Sequence, residues 1–408
     1  MDTDIPHEEV HDLDESLFEL KNDEIDDRAT TVTQFNKTLN STTIADGKAF
    51  PIGKSLMLLA TLIAFMNKDV LTGKHNAFVI RETLKGKTAT ASKLRHWIDL
   101  LPAFARLYNQ KLAYSPDLRL FFECYRKHPI SQPLIKESVD GIRFAEICND
   151  FISTLRNEGK RSNLAYQLRQ WMRNSTENRK KLRRYLKALF SSHSRLVVIR
   201  VDLHLGKDSL MSVAQAKEAY QHIVNRCHQD YQTYMEGADL DKGFDTDAMQ
   251  SFQLMMTERD KFLNAMRRKY EKKMVGYVWA MEFSASGHYH IHVCFFFNGA
   301  MVDGDKHSWL AQETCDFWKQ TTEGNGYSFN CNRKQYDTPA CGIVEYHDAQ
   351  KINYLITSLD YLAKNTQLVR VKSAKGKTFN TGRMPGTRLP GSAGRPRSKA
   401  SAVIDEDF

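Results

Sequence analysis

The chain has 408 residues, 41% hydrophobic and 26% charged, the composition of a soluble globular protein long enough for two or three domains with proper cores. A net charge of +9 and a pI near 9.0, despite an acidic start, favour a polyanionic partner, nucleic acid before a membrane. Seven cysteines, an odd number with no Cys-x-x-Cys pair, point to a reducing cytoplasm and argue against a zinc ribbon.

Residues 1–45 are rich in Asp, Glu, Thr and Asn and are expected to form a mostly disordered acidic tail, a solvating arm or, as a lesser alternative, a DNA mimic that covers the basic site. Residues 46–135 are expected to form a helical accessory domain. The apolar run Ser55–Met66 (SLMLLATLIAFM) falls short of the ~20 residues that span a bilayer and lies too far in for a signal peptide. It reads as a buried helix, and no membrane partner is expected. Lys93–Leu112 carries Leu94, Trp97, Ile98, Leu101, Phe104 and Leu107 at helical spacing, with Pro102 placed to kink or split it. No catalytic constellation occurs in this region.

Residues 136–190 form a basic helical segment. Arg143–Phe190 has an apolar face of Leu182, Tyr185, Leu186 and Leu189 and a polar surface carrying Arg169, Arg173, Arg179, Lys180, Lys181, Arg183, Arg184 and Lys187. Such a run is either a solvated face or a track for a DNA backbone, where each cation helps release counterions. Arg179, Lys180, Arg183 and Arg184 are the DNA-binding candidates. The next region, 191–371, opens with Arg195–Leu205 (RLVVIRVDLHL), whose β-branched content predicts a central strand. Arg200, Asp202 and His204 share one face of it. They could contact DNA or support a metal held by a neighbouring strand, and both readings stand. Helices are predicted at Ser209–Cys227 and Asp245–Lys272, the second with an inward methionine stripe that reads as core.

Tyr277–Gly299 (YVWAMEFSASGHYHIHVCFFFNG) predicts a β-hairpin of two apolar strands, Tyr277–Phe283 and His288–Phe297. In the second strand His288, His290 and His292 alternate with Tyr289, Ile291 and Val293, so the three imidazoles leave one face. A three-residue turn, Ala285-Ser286-Gly287, pairs Glu282 with His290 and brings a carboxylate beside His290 and His292. A four-residue turn would send Glu282 to the other side. Fourteen histidines in 408 residues give roughly 0.5 His-x-His pairs by chance but only about 0.02 alternating triplets, so the triplet favours a metal site over a structural cluster. Two neutral imidazoles and a carboxylate with open positions suit Mg, Mn or Zn holding water and a phosphate oxygen.

Ser308–Thr321 reads as a helix and Gly342–Tyr346 as a short strand. Ala349–Asn365 is a helix with an apolar stripe of Ile352, Leu355, Ile356, Leu359 and Leu362. It carries Tyr361 and Lys364 within about one turn of each other. A tyrosine attacks phosphorus once a metal polarises the phosphate and a cation lowers the cost of phenolate, and Lys364 is that cation here. Tyr-x-x-Lys also occurs at Tyr108–Lys111 and Tyr270–Lys273, so order along the chain, after the histidine strand, selects Tyr361. Tyr354, seven residues earlier, is a second nucleophile, a core residue or a DNA-stacking tyrosine. Residues 372–408, rich in Gly, Pro, Ser and cations, read as a flexible basic arm that adds nonspecific affinity.

The succession VIRVDLHL, GHYHIHVCFFFNG and YLITSLDYLAK resembles the three motifs of the HUH (His-hydrophobic-His) endonucleases, most closely the inovirus gene-two-protein or YagK/YfjJ-type family of filamentous phages and prophages. The resemblance implies an α+β fold, a helical N-terminal region followed by an antiparallel sheet with the histidine strand at its centre, flanked by helices. It implies His290 and His292 as metal ligands with Glu282 as the third, Tyr361 as nucleophile and Lys364 beside it; the additional His288 leaves His288 with His290 as another pair. The expected activity is nicking and joining of one strand of a single-stranded or supercoiled DNA origin through a 5′-phosphotyrosine, with Mg or Mn as cofactor, initiating rolling-circle replication in a bacterial or phage-infected cytoplasm beside host helicase and polymerase. Alternatives are a relaxase, a single-strand transposase or a non-catalytic DNA-binding regulator. No P-loop is present.

Overall fold

The computed structural model describes residues 41–43, 49–51, 58–110, 112–206, 213–237, 246–283, 289–334, 336, 339–364, 369–371 and 376–386. Most of the acidic tail expected at 1–45, most of the arm expected at 372–408, His288 and the turn before it lie outside them. In chain order the elements are β1 (Ser41–Thr43), β2 (Ala49–Pro51), α1 (Leu58–Ala64) continuing as a π-helical stretch Phe65–Leu71, β3 (Phe78–Thr83), β4 (Gly86–Ala91), α2 (Arg95–Ile98), α3 (Leu101–Ala105) and β5 (Leu112–Tyr114). There follow α4 (Pro116–Lys127), α5 (Ile135–Ser138), α6 (Gly141–Arg161), α7 (Leu164–Ser192), β6 (Arg195–Leu205), α8 (Val213–Met235), α9 (Thr246–Lys269), β7 (Met274–Phe283) and β8 (Tyr289–Asn298). The chain closes with α10 (His307–Thr321), β9 (Gly326–Asn330), β10 (Gly342–Glu345), α11 (Ala349–Lys364), β11 (Val369–Val371) and β12 (Phe379–Thr381).

Two compact units result. Among the described residues, the first is built from Leu62–Leu101 and Pro116–Gln170, and the second from Pro102–Ser115 and the chain from Trp171 on. In the first, Phe121, Phe122 and Phe151 are fully buried between α4 and α6. The helical expectation for this region fails at 78–91, where β3 and β4 pair as an antiparallel hairpin. Phe78, Val79, Ile80 and the threonines at 83, 88 and 90 are strand formers, and Gly86 opens the return strand at φ 110°, where a side chain would be strained. The run predicted over Lys93–Leu112 splits into α2 and α3, with Pro102 in the first turn of α3, where its missing N–H costs nothing.

The second unit is built on a six-stranded antiparallel sheet in the order β10-β6-β8-β7-β12, with β9 also pairing β6. The histidine strand is therefore central. Every residue of β8 from Tyr289 to Phe297 is buried, because both faces of the sheet are covered. On one face Ile199, Val201, Trp279, Ile291, Val293 and Phe295 pack with Phe262 and Met266 of α9 and Trp318 of α10. On the other, Leu196, Val198, Val278, Ala280, Cys294 and Phe296 pack with Leu182, Tyr185 and Leu189 of α7 and with Ile352, Leu355, Leu359 and Leu362 of α11. The arm expected to be flexible contributes β12 to the sheet edge: Phe379 is buried, and Phe379–Thr381 pair with Ala280–Val278. A helical region preceding an antiparallel sheet flanked by helices is the α+β architecture anticipated from the motifs. No described helix is long and apolar enough to cross a membrane.

Candidate active site

The face of the sheet covered by α7 and α11 changes character along its strands. It is apolar at Leu196, Val198, Val278, Ala280, Cys294 and Phe296, then polar at Arg200, Asp202, His204, Glu282, His290 and His292, the next residues of the same period-two series. Register determines which of them meet. His290 lies between Glu282 on β7 and His204 on β6; His292 lies between Ala280 on β7 and Asp202 on β6. The Glu282–His290 pairing is the one expected from a three-residue turn.

Glu282, His290 and His292 are buried, and one ligand atom from each lies within 4.8 Å of the others, close enough to hold a metal ion. His292 Nε2 stands 3.2 Å from Glu282 Oε2 and 3.2 Å from His290 Nε2, and His290 Nε2 is 3.8 Å from the same carboxylate oxygen. Glu282 Oε1 and His290 Nδ1 are buried with no hydrogen-bond partner among the described residues. Orphaned polar atoms beside converging lone pairs are costly in a protein interior unless an ion or water completes them. The donor set, two imidazole nitrogens and one carboxylate, is that of an open divalent site rather than a closed structural zinc site.

Electrostatics agree with that reading. Burial disfavours an imidazolium at His292, but the Asp202 and Glu282 carboxylates outweigh it and push the group up to about 9. Burial and the charge of His292 push His290 down to about 4. Burial opposes ionisation of Glu282, yet His292 and His290, with Arg200 beyond them, bring it down to about 2. The two carboxylates demand positive charge, which a proton on His292 meets and a divalent cation would meet by replacing that proton.

The polar residues of β6 sit directly against this cluster. Asp202 Oδ1 accepts a hydrogen bond from His292 Nδ1 at 2.5 Å, and Arg200 Nε approaches the same oxygen at 3.7 Å. Arg200 is also tied through its backbone N–H to Asn332 Oδ1 at 2.9 Å. Burial opposes ionisation of Asp202, but His292 and Arg200 hold its carboxyl well below the usual carboxylate range. The His204 ring stacks on His290 with centroids 5.0 Å apart and planes 8° from parallel, and Tyr327 of β9 covers it at 4.5 Å. Burial, with competition from the neighbouring His290 imidazole for a proton, pushes His204 well below the ordinary imidazole value.

From α11, Tyr361 reaches the cluster. Its hydroxyl lies 3.4 Å from Glu282 Oε2, longer than a full-strength O–H···O hydrogen bond but within reach of the ligand set. Seventy-nine residues separate the two in sequence. The side chain of Lys364 lies outside the described residues. Tyr354 is half-buried, and its hydroxyl accepts a hydrogen bond from Gln350 Nε2 at 2.8 Å on the same helix. Asp360, immediately before Tyr361, accepts from Arg183 Nη2 at 2.9 Å and Arg179 Nη2 at 3.3 Å. Two of the four α7 cations proposed to follow DNA thus anchor α11, whereas Lys180 and Arg184 are exposed.

Tyr327 and Asp360 were not singled out in the sequence. The only available signals were an aromatic in a five-residue strand and an acid beside the candidate nucleophile, and neither is specific. The structure brings together Glu282, His290, His292 and Tyr361, with Arg200, Asp202 and His204 on the same face. A family model described as the YagK/YfjJ C-terminal domain matches residues 159–379. No curated protein and no solved structure matches the chain.

Proposed function

The chain belongs to the YagK/YfjJ C-terminal domain family, and on that premise we propose that it is an HUH-type endonuclease that nicks and rejoins one DNA strand through Tyr361. The observation that carries this reading is the approach of the Tyr361 hydroxyl to 3.4 Å from Glu282 Oε2, with both histidines converging on that oxygen. Glu282, His290 and His292 are the residues that would hold a divalent ion, magnesium or manganese. When bound, the ion neutralises the scissile phosphate and makes its phosphorus open to attack.

The chain's own residues supply the rest. Glu282, ionised, accepts from the phenol and orients it. α11, packed on the sheet through Leu355, Leu359 and Leu362, holds the nucleophile on a rigid element, where proximity lowers the barrier most. Attack by the Tyr361 oxygen forms a P–O bond to the 5′ side of the break and releases the 3′ oxygen. The phenol loses a proton to solvent and the departing oxygen gains one. The phosphotyrosine retains the energy of the phosphodiester, so attack by a free 3′-hydroxyl reverses the step and joins strands without a nucleoside triphosphate. In this reading the 3′-hydroxyl primes a polymerase, and the biological setting is rolling-circle replication of a phage, prophage or plasmid. Exposed Lys180 and Arg184 hold the DNA backbone.

The test is incubation with origin-type single-stranded DNA and manganese, followed by boiling in detergent. A covalent protein–DNA adduct is expected, lost in Tyr361→Phe and in the presence of EDTA. An adduct that persists in Tyr361→Phe refutes the assignment of the nucleophile.

A further inference from the structure

The polar face of β6 has no role in the scheme above, yet each of its residues nearest the metal candidates meets one imidazole by register. Asp202 is directly opposite His292 and His204 directly opposite His290. We infer that β6 is the positioning strand of the metal centre: Asp202 sets the tautomer and rotation of His292 through Nδ1, and His204 sets the plane of His290 by stacking. This rests on the metal-binding part of the proposed function and is independent of strand cleavage.

The chemistry at His292 is directional. For its Nε2 to offer a lone pair to a metal, the proton of the neutral ring must sit on Nδ1. A carboxylate accepts hydrogen bonds and donates none, so Asp202 at 2.5 Å from Nδ1 permits only that tautomer. It also opposes a flip of the ring that would turn Cδ2 toward it. The Arg200 guanidinium, with Nε 3.7 Å from the same carboxylate oxygen, attracts Asp202 and opposes its turning away. A hydrogen-bonded carboxylate behind a ligand histidine raises the ligand's basicity and fixes its direction.

His290 lacks such a partner, because its Nδ1 is buried without a hydrogen bond among the described residues. Its orientation comes from contact with a flat neighbour. The His204 ring lies 8° from parallel to it, backed in turn by Tyr327 at 4.5 Å. Stacking at this separation restricts rotation of the His290 ring, and a phenyl ring in place of His204 would preserve it.

The experiment is calorimetric titration of manganese alone into the full chain, paired with thermal unfolding in EDTA. Asp202→Ala is expected to weaken manganese binding about 10- to 100-fold; isosteric Asp202→Asn, which keeps an acceptor but not its charge, should fall between that variant and wild type. His204→Phe is expected to bind within about 2-fold of wild type and His204→Ala several-fold more weakly. A purely structural role would lower the unfolding temperature in EDTA without moving the affinity, so the affinity decides. Wild-type affinity in both Asp202 variants, or equal loss in His204→Phe and His204→Ala, overturns the inference while leaving the metal reading intact. A wild-type chain that takes up no manganese overturns both.

Discussion

Asp360 and Arg183 are joined at 2.9 Å with only 10% and 17% of their side chains exposed, and the residue after Asp360 is the candidate nucleophile. The pair links α11 to α7 at the position where Tyr361 must be held still. Removing Arg183 leaves the largely buried Asp360 carboxylate with only the longer contact from Arg179 at 3.3 Å, at a cost of about 1–3 kcal/mol. Arg183→Met should therefore lower the unfolding temperature and slow adduct formation, with Asp360→Asn less damaging because it leaves no unpaired anion. Adduct formation at the wild-type rate in Arg183→Met would show that the pair has no part in placing Tyr361.

The two tyrosines of α11 should behave differently. Tyr361→Phe is expected to abolish the covalent adduct, a loss of at least about a thousandfold. Tyr354→Phe, which removes only a hydroxyl bonded to Gln350, should leave single-turnover nicking within a few-fold of wild type. Tryptic mapping of the adduct then places the DNA on the peptide carrying Tyr361 or excludes it.

Loading the centre should stabilise the protein. Manganese at a hundredfold over its dissociation constant adds about 2.7 kcal/mol, read as a rise in unfolding temperature that EDTA reverses. Glu282→Gln and His290→Ala should lose that rise and the nicking activity together, while gel-shift affinity for DNA survives, since phosphate contacts elsewhere supply it.

Acidity acts on the metal-free chain in a defined direction. His292 is raised from 6.5 to about 9 in the fold, so its contribution is fully present below pH 6.5 and is lost as pH rises through 9. In EDTA the stability difference between wild type and His292→Gln should narrow between pH 6.5 and 9. A difference that is flat over that range would mean that His292 is not the proton's site.

The exposed and the tied cations of α7 separate cleanly. Lys180→Glu and Arg184→Glu should weaken DNA binding and reduce the slope of log affinity against log salt by about 0.7–0.9 per lost phosphate contact, without changing the unfolding temperature. Arg179→Met and Arg183→Met, whose partners are at Asp360, should do the reverse.

What could be read without tertiary structure was whatever depends on local geometry. Period-two alternation put His290 and His292 on one face, and of the two turn lengths open to the sequence the three-residue one pairs Glu282 with His290, because both follow from a few consecutive residues. The apolar stripe of α11 and the extent of β6 were legible for the same reason. The hairpin at Phe78–Ala91 was missed inside an otherwise helical region because only a short β-branched run marks it, and its surroundings outweighed it. Arg179 and Arg183 read as surface cations because nothing near them in sequence shows that Asp360 lies against them.

The amino-acid order alone thus nominated the members of the centre: three alternating imidazoles on one face, a carboxylate that one of two turn lengths brings beside them, and tyrosines on a following helix. Only the packed structure decided that β6 lies beside β8, so that Asp202, ninety residues away, holds His292, and that α11 lies over this face with Tyr361 beside Glu282. The physical reason is that side-chain direction within a strand is set by backbone periodicity, whereas strand order and helix placement are set by burial of two apolar faces drawn from the whole second unit.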